Sequence, residues 1–162
     1  MNNTVFQSKL IERDELETLL PHKGKMFLLS RVTDFDVSRF IIQTQFDVTR
    51  ECIFFEAAGL PNWVTFEVMA QSISALTGIS DKINGTPMKA GCLLSVLNFS
   101  CTRAYFAAGD TLCVKATEEM RDESSGVYRY FCELHLKGEE ETVASATITA
   151  LQVEDLEQLL HH

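Results

Sequence analysis

Apolar and polar residues alternate along 39–48: Phe40, Ile42, Thr44, Phe46 and Val48 take one set of positions, Ile41, Gln43, Gln45 and Asp47 the other. A period of two sends successive side chains to opposite faces, so this stretch predicts a half-buried β-strand. Further on the period changes. Apolar residues at 63, 66, 69, 73 and 76 follow helical spacing, with Pro61 or Asn62 as the start and Gly78 near the stop, which predicts a long helix over 62–79. Asn84-Gly85 then marks a turn. Four strand-like runs follow at about 91–103, 111–121, 126–137 and 142–152, broken by Gly109-Asp110, Asp122–Gly126 and Gly138–Glu141. The breaks are short and turn-rich, so the runs are expected to be antiparallel neighbours. Upstream, Asp14-Glu15-Leu16-Glu17 has the form of a capping box, Pro21 stops the short helix it opens, and Met26 to Val32 is strand-like. A helix that is apolar nearly all round must be covered on every side. The expected architecture is therefore α+β: one long helix wrapped by a curved antiparallel sheet, in a single domain over 1–162 with its core at about 20–152.

Composition narrows the partners. With 162 residues, 46% of them hydrophobic and 23% charged, the chain is large enough to bury roughly 70% of its unfolded surface in one domain. A formal net charge of −9 disfavours nucleic acid and anionic membrane as partners, and an acidic partner could dock only on a local basic patch. No apolar run approaches the ~18 residues of a membrane span, and no signal-like segment opens the chain, so a cytoplasmic protein is expected. The five cysteines (Cys52, Cys92, Cys101, Cys113 and Cys132) form no C-x-x-C pair. Four fall in strand-like runs and are expected to be reduced core thiols. The closing His161-His162 is given no function.

The helix poses the chemical question. Glu67 stands among Trp63, Phe66, Val68, Met69 and Ile73, and a buried carboxylate costs several kcal/mol unless paired or protonated. Glu67, Gln71 and Ser74 fall at i, i+4 and i+7, on one stripe. That stripe is either a polar seam at a dimer or solvent edge, or a site in which Gln71 orients Glu67 for acid chemistry. His22, in Leu20-Pro21-His22-Lys23-Gly24-Lys25-Met26, is either an incidental loop imidazole or a base. His135 alternates with Arg129 and Glu133 and reads as surface. Lys23, Lys25, Arg31, Lys89 and Arg103 are scattered cations that only the fold could bring together. No metal constellation, phosphate-cradling loop or nucleophile elbow is present, and no cofactor is implied.

The segment Leu20-Pro21-His22-Lys23-Gly24-Lys25-Met26-Phe27-Leu28-Leu29-Ser30-Arg31-Val32 resembles the L-P-H-R-x-P-x-L-L-V-D-R-V opening of FabZ-type 3-hydroxyacyl-acyl-carrier-protein dehydratases. Pro61 to Gln71 is similar to their P-G-V-L-I-x-E-A-M-A-Q helix, and Asn98 through Arg103 with Ala108-Gly109-Asp110-Thr111-Leu112 to their A-R-F-R-R-P-V-x-P-G-D-x-L strand and turn. One feature departs: where that family carries its catalytic histidine in G-H-F-P-G, Phe54–Pro61 is shorter and holds none. The pattern L-P-H-x-G-x-M with L-P-x-W-V-x-x-E-x-M-A-Q is closer to the ApeP-like dehydratases of aryl-polyene biosynthesis. The resemblance implies a hot-dog fold and dehydration of 3-hydroxyacyl chains on an acyl carrier protein. It also implies a homodimer, or a heterodimer with a second hot-dog dehydratase. Glu67 is then expected to be the acid. His22 matches the L-P-H histidine that is not the catalytic one in FabZ-type enzymes, and is the base by elimination, reaching Glu67 across a dimer interface. Gln71 orients the carboxylate, and backbone N–H groups at Asn62 and Trp63 steady the thioester oxygen. Lys23, Lys25, Lys89 and Arg103 would form the basic patch for the carrier. Two other readings stay open: an acyl thioesterase in which Glu67 activates water, and a non-catalytic subunit that shapes an active dehydratase partner.

Overall fold

One long helix lies on an antiparallel sheet of seven strands. The computed structural model describes residues 6–153, so His161-His162 lies outside the described residues. In chain order the strands are β1 (Ile11–Glu12), β2 (Arg31–Asp36), β3 (Ile41–Asp47), β4 (Leu60–Pro61), β5 (Ala90–Cys101), β6 (Tyr105–Phe106), β7 (Thr111–Asp122), β8 (Val127–Leu136) and β9 (Ala144–Val153). Helix α1 spans Arg13–Glu17 and α2 spans Val64–Asn84. The main sheet runs β1-β2-β3-β7-β8-β9-β5, and β4 pairs with β6 apart from it. Every pairing is antiparallel. The last three runs are neighbours in sequence order as expected, but β5 is not beside β7: it crosses over to pair with β9 at the sheet's edge. The segment between β5 and β7 contains β6, which is tied to β4 at the foot of α2, so the connection is no hairpin.

Strand β3 keeps its alternation, with Ile42, Thr44 and Phe46 buried and Ile41, Gln43, Gln45 and Asp47 on the other face. Its one inward polar residue is paired, the Thr44 hydroxyl meeting the Ser72 hydroxyl of α2 at 2.7 Å. On the outer face Asp47 accepts from the Arg31 guanidinium at 2.5 Å, which holds its carboxyl below the usual carboxylate range. The predicted strand over Met26–Val32 is corrected. Gly24–Met26 is a 3₁₀ turn and the ladder begins only at Arg31, because Phe27, Leu28 and Leu29 are buried by a loop held against α2 rather than by a sheet. The capping box is likewise absent: Glu12 is the N-cap of α1 and makes no side-chain cap bond.

Helix α2 is longer than its sequence pattern indicates. It runs through Gly78 and ends on Gly85, whose φ of 68° supplies the left-handed turn. Gly78 serves packing instead of termination. A Cβ there would stand 2.1 Å from the Leu19 carbonyl oxygen and 3.2 Å from the Leu19 Cβ, so only glycine lets the chain after α1 lie against the helix. Among the cysteines, Cys113 and Cys132 are buried, Cys52 and Cys101 are half-buried and Cys92 is exposed; all are free thiols. Burial pushes the Cys132 thiol up to about 12. The expectation of core thiols thus fails at Cys92, which sits on the edge strand, where one flank has no sheet beyond it. No described helix is long and apolar enough to cross a membrane.

Candidate active site

The packing of α2 exposes one stripe. Val64, Val68, Met69, Ile73, Leu76 and Ile79 are buried in the core, whereas Glu67, Ala70, Ser74 and Thr77 are only partly covered. These four follow i, i+3, i+7, i+10 and line one cavity of about 150 Å³. Between Glu67 and Asp81 the cavity follows the helix for fourteen residues, about 21 Å at 1.5 Å per residue. Small side chains (Ala70, Ser74, Thr77 and Gly78) form its floor. Ile148, Ala150 and Leu151 of β9, with Gly91 and Leu93 of β5, form the facing wall. Leu19, which packs on Gly78, and Pro21 and His22, which reaches Glu67, close a third side, and Met88, Lys89 and Tyr128 also line it. It is a mostly apolar slot with a carboxylate toward each end.

At the first of these, His22 Nε2 lies 3.7 Å from Glu67 Oε1, with 31% and 27% of the two side chains exposed. Both groups belong to the same chain. The sequence expectation that His22 would meet Glu67 across a dimer interface is therefore corrected, and Gln71 supplies the reason. Its side chain is fully buried and bonded on three sides: its Oε1 accepts from the Leu28 N–H at 2.8 Å, and its amide donates to the Met26 carbonyl at 2.8 Å and to Glu67 Oε1 at 3.1 Å. One amide thus fastens the loop after His22 to the chain's own helix and aims the carboxylate. From outside, Arg13 donates to the Phe27 carbonyl at 2.8 Å and lies 4.7 Å over the Phe27 ring. Sequence reading missed Arg13, since nothing in its spacing to the motif marks it as a loop clamp.

His22 has one further property. Its Nδ1 is buried and has no hydrogen-bond partner, alone among the buried side-chain polar atoms of the described residues. The ring therefore meets the cavity through Nε2, with Nδ1 sealed against protein.

The three polar residues of the predicted stripe do not stay together. Glu67 and Ser74 face the cavity, while Gln71 turns inward to the loop. Exchanging Gln71 for Leu keeps the volume but leaves the Leu28 N–H and the Met26 carbonyl without partners. A loss of about 2–4 kcal/mol in unfolding free energy, measured by denaturant titration, is expected. Asn62 is engaged twice, its N–H donating to the Ala104 carbonyl at 3.0 Å and its side-chain amide to the Arg103 carbonyl at 2.9 Å. Its predicted role as an oxyanion donor is corrected: both donors tie the start of α2 to the β5–β6 connection. Trp63 is the N-cap, is 44% exposed, and packs edge-on against Phe54 at 5.3 Å.

The four predicted docking cations do not meet at one point. Lys23 and Lys25 belong to the His22 loop, with Lys23 Nζ on the Glu17 carbonyl. Lys89 lies 3.9 Å from Asp81 at the far end of the cavity. Arg103 stands beside the start of α2, 4.0 Å from both Asp110 and Glu139. No group of acidic, histidine or cysteine side chains able to hold a metal occurs among the described residues.

Comparison with known proteins places the chain in a family. Residues 14–161 match the ApeP-like family, described as ApeP dehydratase. A dehydratase heterocomplex, ApeI:P from Xenorhabdus doucetiae, contains a chain 25% identical with a TM-score of 0.80, covering 91% of this chain and 97% of that one. A thioesterase from Haemophilus influenzae shares the fold at 14% identity and TM-score 0.64, covering 94% and 96%. The PaaI protein of the Escherichia coli phenylacetic acid degradation operon does so at 15% and 0.55, covering 75% and 78%. No curated protein sequence matches the chain. The main helix on a long antiparallel sheet is the hot-dog arrangement, and with the family match over 14–161 the chain belongs to the ApeP-like dehydratases and is itself a dehydratase.

Proposed function

We propose that the protein removes water from 3-hydroxyacyl thioesters carried on an acyl carrier protein, in aryl-polyene or fatty-acid-type biosynthesis, with Glu67 and His22 at the reacting centre. The single observation behind this is the Glu67–His22 pair, 3.7 Å apart on the wall of a slot with a small-residue floor. Dehydration needs a proton taken from C2, a proton delivered to the departing hydroxyl, and a donor for the thioester oxygen. The pair supports the first two. The Trp63 N–H, at the N-cap of α2 where helix geometry leaves donors without intrahelical partners, supports the third. The acyl chain follows the slot toward Asp81, and the sheet curls about α2 to enclose it.

We further propose a second hot-dog subunit as partner. The similar chain from Xenorhabdus doucetiae belongs to a heterocomplex. Here the edge strand β5 exposes Leu93, Leu94, Leu97 and Phe99, and beside it Phe66 packs between Trp63 and Phe99. A twelve-residue apolar edge invites an added strand. The absence of a histidine from Phe54–Pro61 supports a second reading, in which this chain shapes the site of a catalytic partner without turning over itself. Purified protein given a 3-hydroxyacyl carrier substrate, alone and with the partner, separates the two readings: turnover that depends on this chain's Glu67 supports the first, and indifference to Glu67 the second.

For the carrier, Lys23 and Lys25 are the cations on the loop that bears His22. Reversing both to Glu is expected to raise KM for the carrier-bound substrate severalfold with kcat nearly unchanged. The wild-type KM should rise with salt, because exposed pairs are screened within about 8 Å at physiological ionic strength. A KM indifferent to both changes would contradict docking on this loop.

A further inference from the structure

We infer that His22 works as a neutral hydrogen-bond donor through Nε2, leaving Glu67 as the only residue that carries a proton during dehydration. The inference rests on the reading of this pair as the dehydration site, and it moves the base role expected of His22 onto Glu67, which then acts as both base and acid.

Nδ1 is buried without a partner. A histidine acting as a base through Nε2 must begin with its proton on Nδ1 and pass through a cation protonated on both nitrogens. Here that would bury first an N–H with no acceptor and then a charged one. Orphaned buried N–H groups are rarer and costlier than unfilled acceptors, and unpaired buried charge is costlier still. The ring avoids both by leaving Nδ1 as a bare lone pair and keeping its one proton on Nε2. A second subunit does not alter this, since Nδ1 is buried within the chain itself.

The second observation is the gap itself. At 3.7 Å, Nε2 and Glu67 Oε1 are too far apart for a direct hydrogen bond, and a single oxygen beside them can bridge both. The substrate's 3-hydroxyl has the right polarity for that place: it accepts from the Nε2–H and donates to the carboxylate. Gln71 donates to the same Oε1 at 3.1 Å and fixes its orientation. The step then balances on one residue. The Glu67 carboxylate takes the C2 proton, the C2–H electron pair becomes the C2–C3 double bond, and the C3–O bond breaks. The departing oxygen keeps its own hydrogen, receives the proton from Glu67 and leaves as water, so Glu67 ends as the carboxylate it began. His22 holds the departing oxygen throughout and never changes protonation.

Nitrogen-15 NMR of histidine-labelled full-length protein at neutral pH tests this, with the His22 signals identified by their loss in His22→Gln. The expected result is a proton on Nε2 and none on Nδ1. A proton on Nδ1, or on both nitrogens, overturns the inference. In turnover, His22→Gln retains an N–H donor and is expected to stay within about tenfold of wild type, with His22→Ala lower. His22→Gln as inactive as Glu67→Gln overturns it. Full activity in Glu67→Gln would instead sink the reading of the pair as the dehydration site, which the tautomer measurement does not address.

Discussion

Replacing Glu67 with glutamine is expected to lower kcat for dehydration by about 10²–10⁴-fold, the usual worth of a positioned proton-transfer group. The substitution is close to isosteric and its oxygen can still accept from the Gln71 amide, so the loop–helix contacts that fix the site persist. Because the Glu67 side chain is 27% exposed, no unpaired charge is left buried by the change, and stability should stay within about 0.5 kcal/mol of wild type. Chain binding depends on Ala70, Ser74, Thr77 and the β9 wall, so KM should move little. A low kcat at unchanged KM and unchanged Tm is the signature of an interaction used only in the transition state.

A large effect on stability is also expected at Gly78. Adding a single methyl places Cβ 2.1 Å from the Leu19 carbonyl oxygen, a backbone atom that cannot swing away as a side chain can. Relief requires moving either α2 or the segment between α1 and His22. Overpacking of this kind costs about 1–3 kcal/mol, and the backbone clash puts Gly78→Ala near the top of that range. Tm should fall by roughly 6–12 °C, measured by thermal unfolding. Activity should fall at temperatures where the variant is still folded, because the segment that packs on Gly78 through Leu19 is the one that carries His22 to Glu67. Loss of stability with undisturbed kcat would show that the His22 loop is not set by this contact.

Much of the fold was legible because its signals are local. The β3 alternation, the α2 period and the turn residues between the last strands each depend on a few neighbouring side chains. The errors come where distant contacts decide. Gly78 looks like a helix stop in sequence and proves to be the place where Leu19 crosses the helix. Phe27, Leu28 and Leu29 look like a strand because they are buried, yet what holds them is Gln71 on one side and Arg13 on the other. The crossover of β5 to β9 leaves no mark on turn chemistry, since each strand's own sequence is compatible with either neighbour. In the site, the helical spacing of Glu67 and Gln71 was readable, whereas the meeting with His22 depends on a loop conformation. The dispersal of Lys23, Lys25, Lys89 and Arg103 follows from the same limit, since a list of cations in sequence holds no information on where the chain carries them.

The fate of a carrier-bound 3-hydroxyacyl chain, followed by intact-mass analysis of the carrier, tests the central claim most directly. Purified wild-type protein is incubated with the substrate in the presence of a second hot-dog subunit whose own catalytic residue has been removed. The account predicts that the chain loses one water and remains attached to the carrier, and that Glu67→Gln abolishes the loss. Release of a free acid would make the protein a thioesterase, and an unchanged carrier, or water loss that persists in Glu67→Gln, would contradict the role given to this site.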